Sequence, residues 1–342
     1  MAAGVIATDL SLMDRRLLTA VQVAFPLAAR PFADLGSVAD LSEAQVIARL
    51  GAVKEQRIIR RIGPVFEPAA IGLTTELVAV EVDPNRVESV GAAIAKWPQV
   101  THCYLRDHRV NLWFAGAAPS ALWFEQAADG VLRQQGVRGA WRLPTLRRFK
   151  IGVVFDLIEE RTSSEIPPRP AFHDCDNTEK GAVPDIVVVR VLESDLPLVP
   201  DPFAVLSRRL AMTDTALLDI IRDWLRRGRI RRYGAQLNHR VLGFTANAMT
   251  TWAVPNALLA EAGATMAADP EVTHCYERPA FDDFPYNLYA MIHGRTREHC
   301  LAVAERLSRA CDLRDPLPLF STREFKKSTP PYSELMALRC SP

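Results

Sequence analysis

The sequence predicts an α+β fold that is built twice along the chain, and three observations carry this prediction. The motif "VTHCY" occurs at 100–104 and again at 272–276, and "RRFK" at 147–150 returns as "REFK" at 323–326. The paired motifs keep their order, with offsets of 172 and 176 positions (272 minus 100, and 323 minus 147), far longer than a solenoid repeat. Each copy also begins with helical periodicity and continues with alternating strand and helix patterns. The chain is therefore predicted to be a tandem duplication of one unit.

The opening of the first unit predicts three helices and a hairpin, which is the outline of a winged helix-turn-helix. Apolar residues fall at helical spacing in 12–21, and a short helix is predicted to open after Pro31. Ser42 is a candidate N-cap for the third helix. The stretch "IIRRIGPVFEP" at 58–68 is rich in β-branched residues and has a Gly-Pro pair, which predicts a hairpin as the wing.

The second unit repeats this order. Its middle helix is predicted at 201–212, its third helix at 213–229 with Thr213 as the N-cap, and its wing at 230–240. The region expected to hold its first helix, 185–201, is rich in β-branched residues and proline, which oppose helix formation.

The second module of each unit has the order βαββαβ, which is the ferredoxin-like pattern. In the first unit the predicted elements are, in that order, 74–82, 86–97, 100–106, 110–116, 119–135 and 143–150. In the second unit they are 246–254, 256–268, 272–278, 287–294, 296–311 and 317–326.

These patterns divide the chain into five segments. Winged helix-turn-helix modules are predicted at 1–73 and 185–245, and ferredoxin-like modules at 74–157 and 246–342. Residues 158–184 are polar and proline-rich and are predicted to be a linker.

Composition indicates well-packed globular domains and argues against several classes of protein. Hydrophobic residues make up 49% of the chain, and a net charge of +1 is less basic than a protein devoted to nucleic acid usually has. The six cysteines form no CxxC pair, so neither a zinc site nor a disulfide framework is indicated. No signal-peptide pattern and no run of about 20 apolar residues occurs. We expect a soluble cytoplasmic protein in a reducing compartment.

Four stretches carry a resemblance to a known family. They are "RRYGAQLNHRVLGF" at 231–244, "VTHCYERP" at 272–279, "YNLYAMIHG" at 286–294 and "REFKK" at 323–327. A winged helix-turn-helix followed by a βαββαβ module resembles the Lrp/AsnC regulators, and these motifs resemble the siroheme decarboxylases within that superfamily. The resemblance covers nearly the whole chain, twice, as in the fused two-unit members of the family.

The resemblance implies an activity, a substrate and partners. Siroheme decarboxylases remove carbon dioxide from two acetate side chains of siroheme to give 12,18-didecarboxysiroheme, and the fused form resembles the enzyme of heme d1 biosynthesis. The resemblance also implies that no cofactor is added. The iron of siroheme is part of the substrate, so we assign no residue to a resident metal. We also expect a homodimer, with other subunits of the same pathway as potential partners, and no membrane association.

The chemistry of this reaction selects candidate residues. Siroheme carries eight carboxylates, so its site needs cations together with aromatic or apolar walls. Loss of carbon dioxide from an acetate needs an electron sink, which protonation of the pyrrole ring by a positioned acid provides. We predict catalytic roles for His239, His274 and Tyr276. The predicted substrate-binding residues come from the same motifs and from the matching strand of the first copy: Arg231, Arg232, Arg240, Arg278, Tyr286, Asn287, Tyr289, His293, Lys326 and His102.

The two copies differ at positions that matter for this chemistry. His239 corresponds to Pro68 in the first copy. The stretch "NLYAMIHG" at 287–294 corresponds to "NLWFAGAA" at 111–118, which has no match for His293. We therefore predict that the second unit carries the main site, and that the first unit supplies a scaffold and a wall of that site.

Structural interpretations stay open for several of these residues. A strand histidine such as His102 or His274 is ordinarily a hydrogen-bonded structural residue. Arg231 and Arg232 could lie on a solvated wing or on DNA phosphates, and Lys326 could be a solvated strand end.

Two other functions also stay open. The basic run at 222–232 favours a transcription regulator that binds DNA and a small effector, although we expect no DNA binding because the wings carry groups suited to a ligand pocket. A tetrapyrrole carrier without catalytic activity has the same sequence features as the enzyme.

Overall fold

The computed structural model describes residues 10–152, 154–157, 161–163 and 183–339 and divides into two compact units. Among the described residues, the helical unit comprises 10–71, 154–157, 161 and 183–243, and the sheet unit comprises 72–152, 162–163 and 244–339. Each unit therefore combines the same kind of module from both copies. The predicted linker, 158–184, lies mostly outside the described residues.

The helical unit holds the predicted helices of both copies. They are α1 (Leu12–Val23), α2 (Pro31–Ala39), α3 (Glu43–Glu55), α6 (Asp185–Leu192), α7 (Pro202–Arg208) and α8 (Asp214–Arg226). The predicted N-caps accept backbone hydrogen bonds, Ser42 from Gln45 and Thr213 from Ala216. The helix α6 forms despite its β-branched residues because Val188, Val189, Val191 and Leu192 are buried, and packing outweighs propensity.

The predicted wing hairpins are wrong. The strands β1 (Ile59–Phe66) and β9 (Ile230–Leu237) come from different copies and pair with each other antiparallel. Gly63 lies opposite Gly234 in this ladder, so the Gly-Pro pair of the first copy continues a strand instead of turning it. A side chain at Gly234 would collide with the carbonyl oxygen of Val21 on α1, which explains the glycine. A 3-10 turn (Ala69–Ile71) follows β1.

The sheet unit contains the two predicted βαββαβ modules. The first copy supplies β2 (Thr74–Val82), α4 (Val87–Ala95), β3 (Val100–Arg106), β4 (Leu112–Ala118), α5 (Ala121–Leu132), β5 (Val137–Pro144) and β6 (Arg147–Ile151). The second copy supplies β10 (Ala246–Trp252), α9 (Leu259–Ala268), β11 (Val272–Glu277), β12 (Leu288–Gly294), α10 (Arg297–Ala310), β13 (Leu317–Lys327) and α11 (Tyr332–Arg339). Two short strands, β7 (Val154–Asp156) and β8 (Arg161–Ser163), complete the described elements.

The two modules merge into one nine-stranded sheet in the described part of the chain, with the order β5-β2-β4-β3-β13-β10-β12-β11-β6. The last strand of each copy crosses to the other copy. The first half of β13 pairs with β10, and its second half pairs with β3 of the first copy. In the same way β5 pairs with β2, and β6 pairs with β11 of the second copy. The exchange ties the two copies into one sheet.

This exchange corrects one prediction. The first copy was expected to end in a single strand at 143–150, but its last stretch is two strands that pair at opposite ends of the sheet order. A sequence pattern predicts a strand, but the partner of that strand depends on tertiary structure. The helix α11 was not predicted.

Three hydrophobic clusters of described residues pack within the sheet unit. Each copy packs its own helices on one face of the sheet. The third cluster joins the copies and includes Trp113, Leu143, Met249, Tyr289 and Leu319. Of the predicted site residues, Tyr289 belongs to this shared cluster and Tyr286 packs against it. No described helix is long and apolar enough to cross a bilayer.

Candidate active site

The histidine of the second "VTHCY" motif lies next to a β-bulge. The ladder between β11 and β12 pairs Val272 with Ile292 and His274 with Met291, so Thr273 is an extra residue. Thr273 is fully buried, and its Oγ1 lies 3.0 Å from Nδ1 of His274. The bulge therefore brings a polar pair into an otherwise regular strand, as bulges next to active sites often do.

A second histidine joins this pair from the neighbouring strand. His293 on β12 is 8% exposed, and its Nδ1 lies 3.1 Å from the same Thr273 Oγ1. Burial, and then the charges of Lys327 and Arg106, lower the pKa of His293 to about 3. His293 is therefore a neutral imidazole at physiological pH.

The strands β11 and β12 also carry aromatic side chains next to the two histidines. The ring of His274 lies 6.2 Å from that of Tyr276, and Tyr276 pairs across the ladder with Tyr289. Tyr289 is buried, burial raises its pKa, and its hydroxyl donates to the carbonyl of Tyr286 at 3.3 Å. The structure thus brings these four predicted residues into one region with two half-exposed members, His274 and Tyr276.

The first copy contributes two residues to this region through the exchanged strand β6. Arg148 lies opposite Tyr276, and Ile151 lies opposite His274. Directly opposed residues of an antiparallel pair point to the same face of the sheet. An exposed cation and an apolar side chain therefore flank the predicted catalytic pair, which suits a ligand that is both acidic and hydrophobic.

Sequence reasoning missed Arg148. The motif "RRFK" that contains it is plainly repeated, but its own sequence does not show that β6 leaves its copy to pair with β11. Only the pairing of strands reveals the contribution.

The matching region of the first copy has a different lining. His102 and Thr101 repeat the histidine–threonine contact, with Oγ1 and Nδ1 2.8 Å apart. The exchanged strand β13 places Glu324 opposite Tyr104 and Lys327 opposite His102. A carboxylate thus stands where the second copy has Arg148, and it would repel an acidic ligand.

One of the predicted substrate-binding residues, Arg278, makes the same structural contact as its counterpart in the first copy. Arg278 is buried and donates to the carbonyl of Leu143 in the first copy. Its counterpart Arg106 donates to the carbonyl of Leu319 in the second copy at 2.6 Å. Burial lowers the pKa of each guanidinium, to about 10 for Arg106. These arginines tie the two copies together across the sheet unit.

Lys326 and its first-copy counterpart Lys150 also make equivalent hydrogen bonds. Nζ of Lys326 donates to the carbonyl of Trp97, next to the end of α4, at 2.7 Å. Lys150 donates to the carbonyl of Asp269 at the end of α9 at 2.5 Å. Burial lowers the pKa of both lysines, to about 8 for Lys150. Each lysine thus satisfies a carbonyl at the end of a helix of the opposite copy.

Asn287 is also engaged by the backbone. Its Nδ2 donates to the carbonyl of Val254 at 2.8 Å, and its Oδ1 accepts from the amide of Val254 at 2.9 Å. Asn111 makes the same two bonds with Val82 in the first copy. The amide therefore holds adjacent strand ends together in both copies.

The remaining predicted residues lie in the helical unit. Arg231 forms a long ion pair with Glu67 (4.0 Å). The guanidinium of Arg232 donates to the carbonyls of Gln22 and Ala235, and burial lowers the pKa of Arg232 to about 10.

His239 and Arg240 follow β9 in a turn. His239 is 3% exposed, and its ring stacks on Phe155 at 6.1 Å, whereas Arg240 is exposed. Gln22 on α1 holds Phe155 by both backbone groups, at 3.1 Å each. The structure thus buries the imidazole of His239 against a residue of the stretch 154–157.

Most arginines of the basic run at 222–232, which favoured DNA binding, form ion pairs with carboxylates. Arg222 pairs with Asp219, and Arg226 and Arg227 both pair with Asp223. The arginines of this run that lie further along contact Asp185, Glu67 or backbone carbonyls. Side chains that are matched by carboxylates offer little net charge to phosphates.

Comparisons with known proteins agree with this architecture. The AsnC-like ligand binding domain matches residues 70–150 and 241–326, and the siroheme decarboxylase NirDL-like HTH domain matches residues 14–60 and 185–231. The chain is thus a duplicated fusion of a helix-turn-helix domain with an AsnC-like domain.

Relatives and a solved structure that align over more than 90% of both chains show the family of this chain. The siroheme decarboxylase of Hydrogenobacter thermophilus is 33% identical over 91% of this chain and 92% of its own. The siroheme decarboxylase NirDL subunit of Paracoccus denitrificans is 34% identical over 95% of this chain and 98% of its own. A crystal structure of the siroheme decarboxylase NirDL in co-complex with an iron-uroporphyrin III analogue matches with a TM-score of 0.70 at 29% identity, covering 95% of this chain and 96% of that one. The chain belongs to the siroheme decarboxylase family.

Proposed function

We propose that this chain decarboxylates two acetate side chains of siroheme to give 12,18-didecarboxysiroheme, as a step of heme d1 biosynthesis, and that the second copy carries the reaction. The observation that supports this most is the group formed by Thr273, His274 and His293, flanked by Tyr276 and by Arg148 from the exchanged strand. It combines proton-transfer groups with a cation and aromatic walls.

The chemistry requires one proton for each carbon dioxide released. The bond between the acetate methylene and its carboxyl carbon breaks, and its electron pair passes into the macrocycle. A proton delivered to the methylene carbon then leaves a methyl group on the ring. The reacting carboxylate loses its charge in this process, so an apolar surround such as Ile151 favours it, whereas the other carboxylates are best held by cations.

The residues divide these tasks between them. His274 is half-exposed and belongs to the hydrogen-bonded group, so we assign it the proton transfer, with Tyr276 beside it. Arg148 is the cation for a spectator carboxylate, and Tyr289 contributes a buried wall. In the helical unit His239 remains a second candidate acid.

The first copy has a supporting role in this proposal. It lacks a counterpart of His293, because Ala117 holds that position, and Glu324 replaces the cation. It supplies Arg148 and Ile151 to the second copy and structural ties through Arg106. The duplication thus separates catalysis from scaffolding.

We further propose that the reaction needs no added cofactor and takes place in the cytoplasm, with the fused chain as a homodimer. The four cysteines in the described part of the chain are free thiols, which suits a reducing compartment. The dimer proposal follows from the symmetric assembly that is commonest among soluble proteins. Light scattering of the purified chain tests it, because a monomer mass would contradict it.

The experiment for the function is an anaerobic incubation of purified, chelator-dialysed protein with siroheme, followed by mass spectrometry. We expect a product that has lost two carbon dioxide units, without any added cofactor. Bound but unchanged siroheme would indicate a carrier. No siroheme binding, together with salt-sensitive retention on DNA, would contradict the proposal and favour a regulator.

A further inference from the structure

The hydroxyl of Thr273 contacts three partners at once. Its Oγ1 lies 3.0 Å from Nδ1 of His274, 3.1 Å from Nδ1 of His293 and 3.1 Å from the carbonyl oxygen of Met291. Thr273 is fully buried, so water does not compete for these contacts. Neither the bulge nor β-branched strand propensity requires a hydroxyl at this position.

Counting protons restricts what these contacts can be. A threonine hydroxyl has one proton to donate and two lone pairs that accept. The carbonyl of Met291 can only accept, so it takes the hydroxyl proton. Both imidazoles must then donate to Oγ1, and each must carry its proton on Nδ1. In this arrangement, and in no other, all three contacts are hydrogen bonds.

We propose that Thr273 is a positioning residue that holds His274 and His293 with the proton on Nδ1, which leaves Nε2 of each ring as the nitrogen that takes part in proton transfer or accepts a hydrogen bond. The inference rests on the proposed decarboxylase function. In this arrangement His274 receives and delivers a proton at Nε2, and Nε2 of the neutral His293 is a hydrogen-bond acceptor.

The surroundings of His293 fit this division of roles. Burial and the charges of Lys327 and Arg106 hold the pKa of His293 far below its usual value, so this ring does not take up a second proton near neutral pH. His274 is less buried. The two rings share one oxygen, yet only one of them is placed to cycle a proton.

The first copy supplies an internal comparison. Thr101 Oγ1 donates to the carbonyl of Ala115 at 3.2 Å and contacts Nδ1 of His102 at 2.8 Å. The same threonine thus orients one histidine there, and Ala117 stands where a second would be. In the second copy the same kind of contact involves a pair of rings.

The test measures protonation sites directly. Protein with ¹⁵N-labelled histidine is studied by two-bond ¹H–¹⁵N correlation NMR, and the signals of His274 and His293 are assigned by their loss in His274→Gln and His293→Gln. We expect both residues in the Nδ1–H form in the wild-type protein. A majority Nε2–H form at either residue would overturn the proposal, whatever the activity.

Matched variants connect the protonation site to turnover. Thr273→Val removes the hydroxyl at nearly constant shape, Thr273→Ser retains it, and Thr101→Val makes the same change in the first copy. We expect Thr273→Val to lower kcat about 10- to 100-fold with KM within about threefold, and to shift both histidines towards Nε2–H. Thr273→Ser and Thr101→Val should stay within about threefold of wild type.

The outcomes separate this proposal from the function on which it rests. If wild-type protein leaves siroheme unchanged, the function fails while the NMR result still decides the protonation sites. If wild-type protein is active and a folded Thr273→Val retains its kcat and both Nδ1–H forms, the role of Thr273 is contradicted. If Thr273→Val does not fold, the wild-type spectrum and the activity of Thr273→Ser decide the proposal.

Discussion

The two "VTHCY" strands occupy equivalent positions in one sheet but have different neighbours. Both copies keep the bulge, the threonine–histidine contact and the buried arginine that reaches across to the other copy. The strand opposite "VTHCY" carries Arg148 and Ile151 in the second copy, and Glu324 and Lys327 in the first. The shared features build the fold, and the features that differ determine what each copy can bind.

This comparison explains why sequence identity between the copies is a poor guide to function. "THCY" is the most visible repeat, yet its histidine acquires a histidine partner in the second copy alone. The chemistry depends on residues that other strands bring to the motif. Predictions that change one copy at a time therefore test the comparison most sharply.

The largest expected effect comes from removing one histidine in each copy. His274→Ala should lower kcat at least about 100-fold, the usual contribution of a general acid, whereas His102→Ala should stay within about threefold. Steady-state turnover of siroheme by both variants measures this. Equal losses in the two variants would show that both copies react.

Acid titration should separate the second copy from the first through His293. The folded pKa of about 3 lies below the ordinary value of 6.5, so the unfolded state binds more protons at acidic pH. The contribution of His293 is complete above pH 6.5 and is lost as the pH falls towards the folded pKa. The variant His293→Ala copies Ala117 of the first copy and lacks this titrating group. Between pH 7 and pH 4 the unfolding free energy of the wild-type protein should therefore fall by on the order of 3 kcal/mol more than that of the variant, at about 1.4 kcal/mol per pKa unit.

Urea denaturation of wild type and His293→Ala at pH 7 and pH 4 measures the difference. The alanine variant has a cavity at both pH values, so the comparison uses the change between pH values and not the absolute stability. An identical change in both proteins would mean that His293 titrates normally in the folded state.

Charge at position 148 should control substrate affinity. Arg148→Glu copies the first-copy residue Glu324, and loss of one charge-assisted hydrogen bond of about 1.5–3 kcal/mol should weaken siroheme binding about 10- to 100-fold. Absorbance titration of siroheme measures the affinity. Arg314→Glu, at an exposed position, is the matched control for net charge. Equal weakening in both variants would show a general charge effect and not a contact.

The smallest effects should come from replacing Lys150 and Lys326, and the two replacements should lower the unfolding free energy equally. Lys150→Met and Lys326→Met each remove a hydrogen bond to a carbonyl beside a helix end, which should cost about 1–2 kcal/mol in unfolding free energy. Turnover should stay near wild type. A raised KM for Lys326→Met alone would restore the substrate contact that the sequence predicts for Lys326.

Much of the fold could be predicted from the sequence because its patterns are local. The strands at 74–82 and 100–106 and the N-caps Ser42 and Thr213 are set by alternation and capping residues. The partners of β1 and β6 could not be predicted, because both strands pair with the other copy. Hydrophobic alternation specifies a face and not a neighbour.

The candidate site shows the same limit. The sequence predicted His274, Tyr276 and His293, because they lie in motifs that resemble the siroheme decarboxylases and carry groups suited to proton transfer. Arg278 and Asn287 have the same donors whether they face a carboxylate or a backbone carbonyl, so composition does not separate a substrate contact from a structural one. Thr273 has the sequence features of an ordinary strand residue, and only its three contacts in the folded chain distinguish it.

The central claim is that one chain has one working site, built on the second copy. Anaerobic titration of siroheme into the wild-type chain, with bound and free substrate separated by rapid gel filtration, tests it most directly. We predict one siroheme per chain, with this binding weakened by Arg148→Glu. Two equivalents of equal affinity per chain, or a single equivalent that is indifferent to Arg148→Glu, would contradict the assignment.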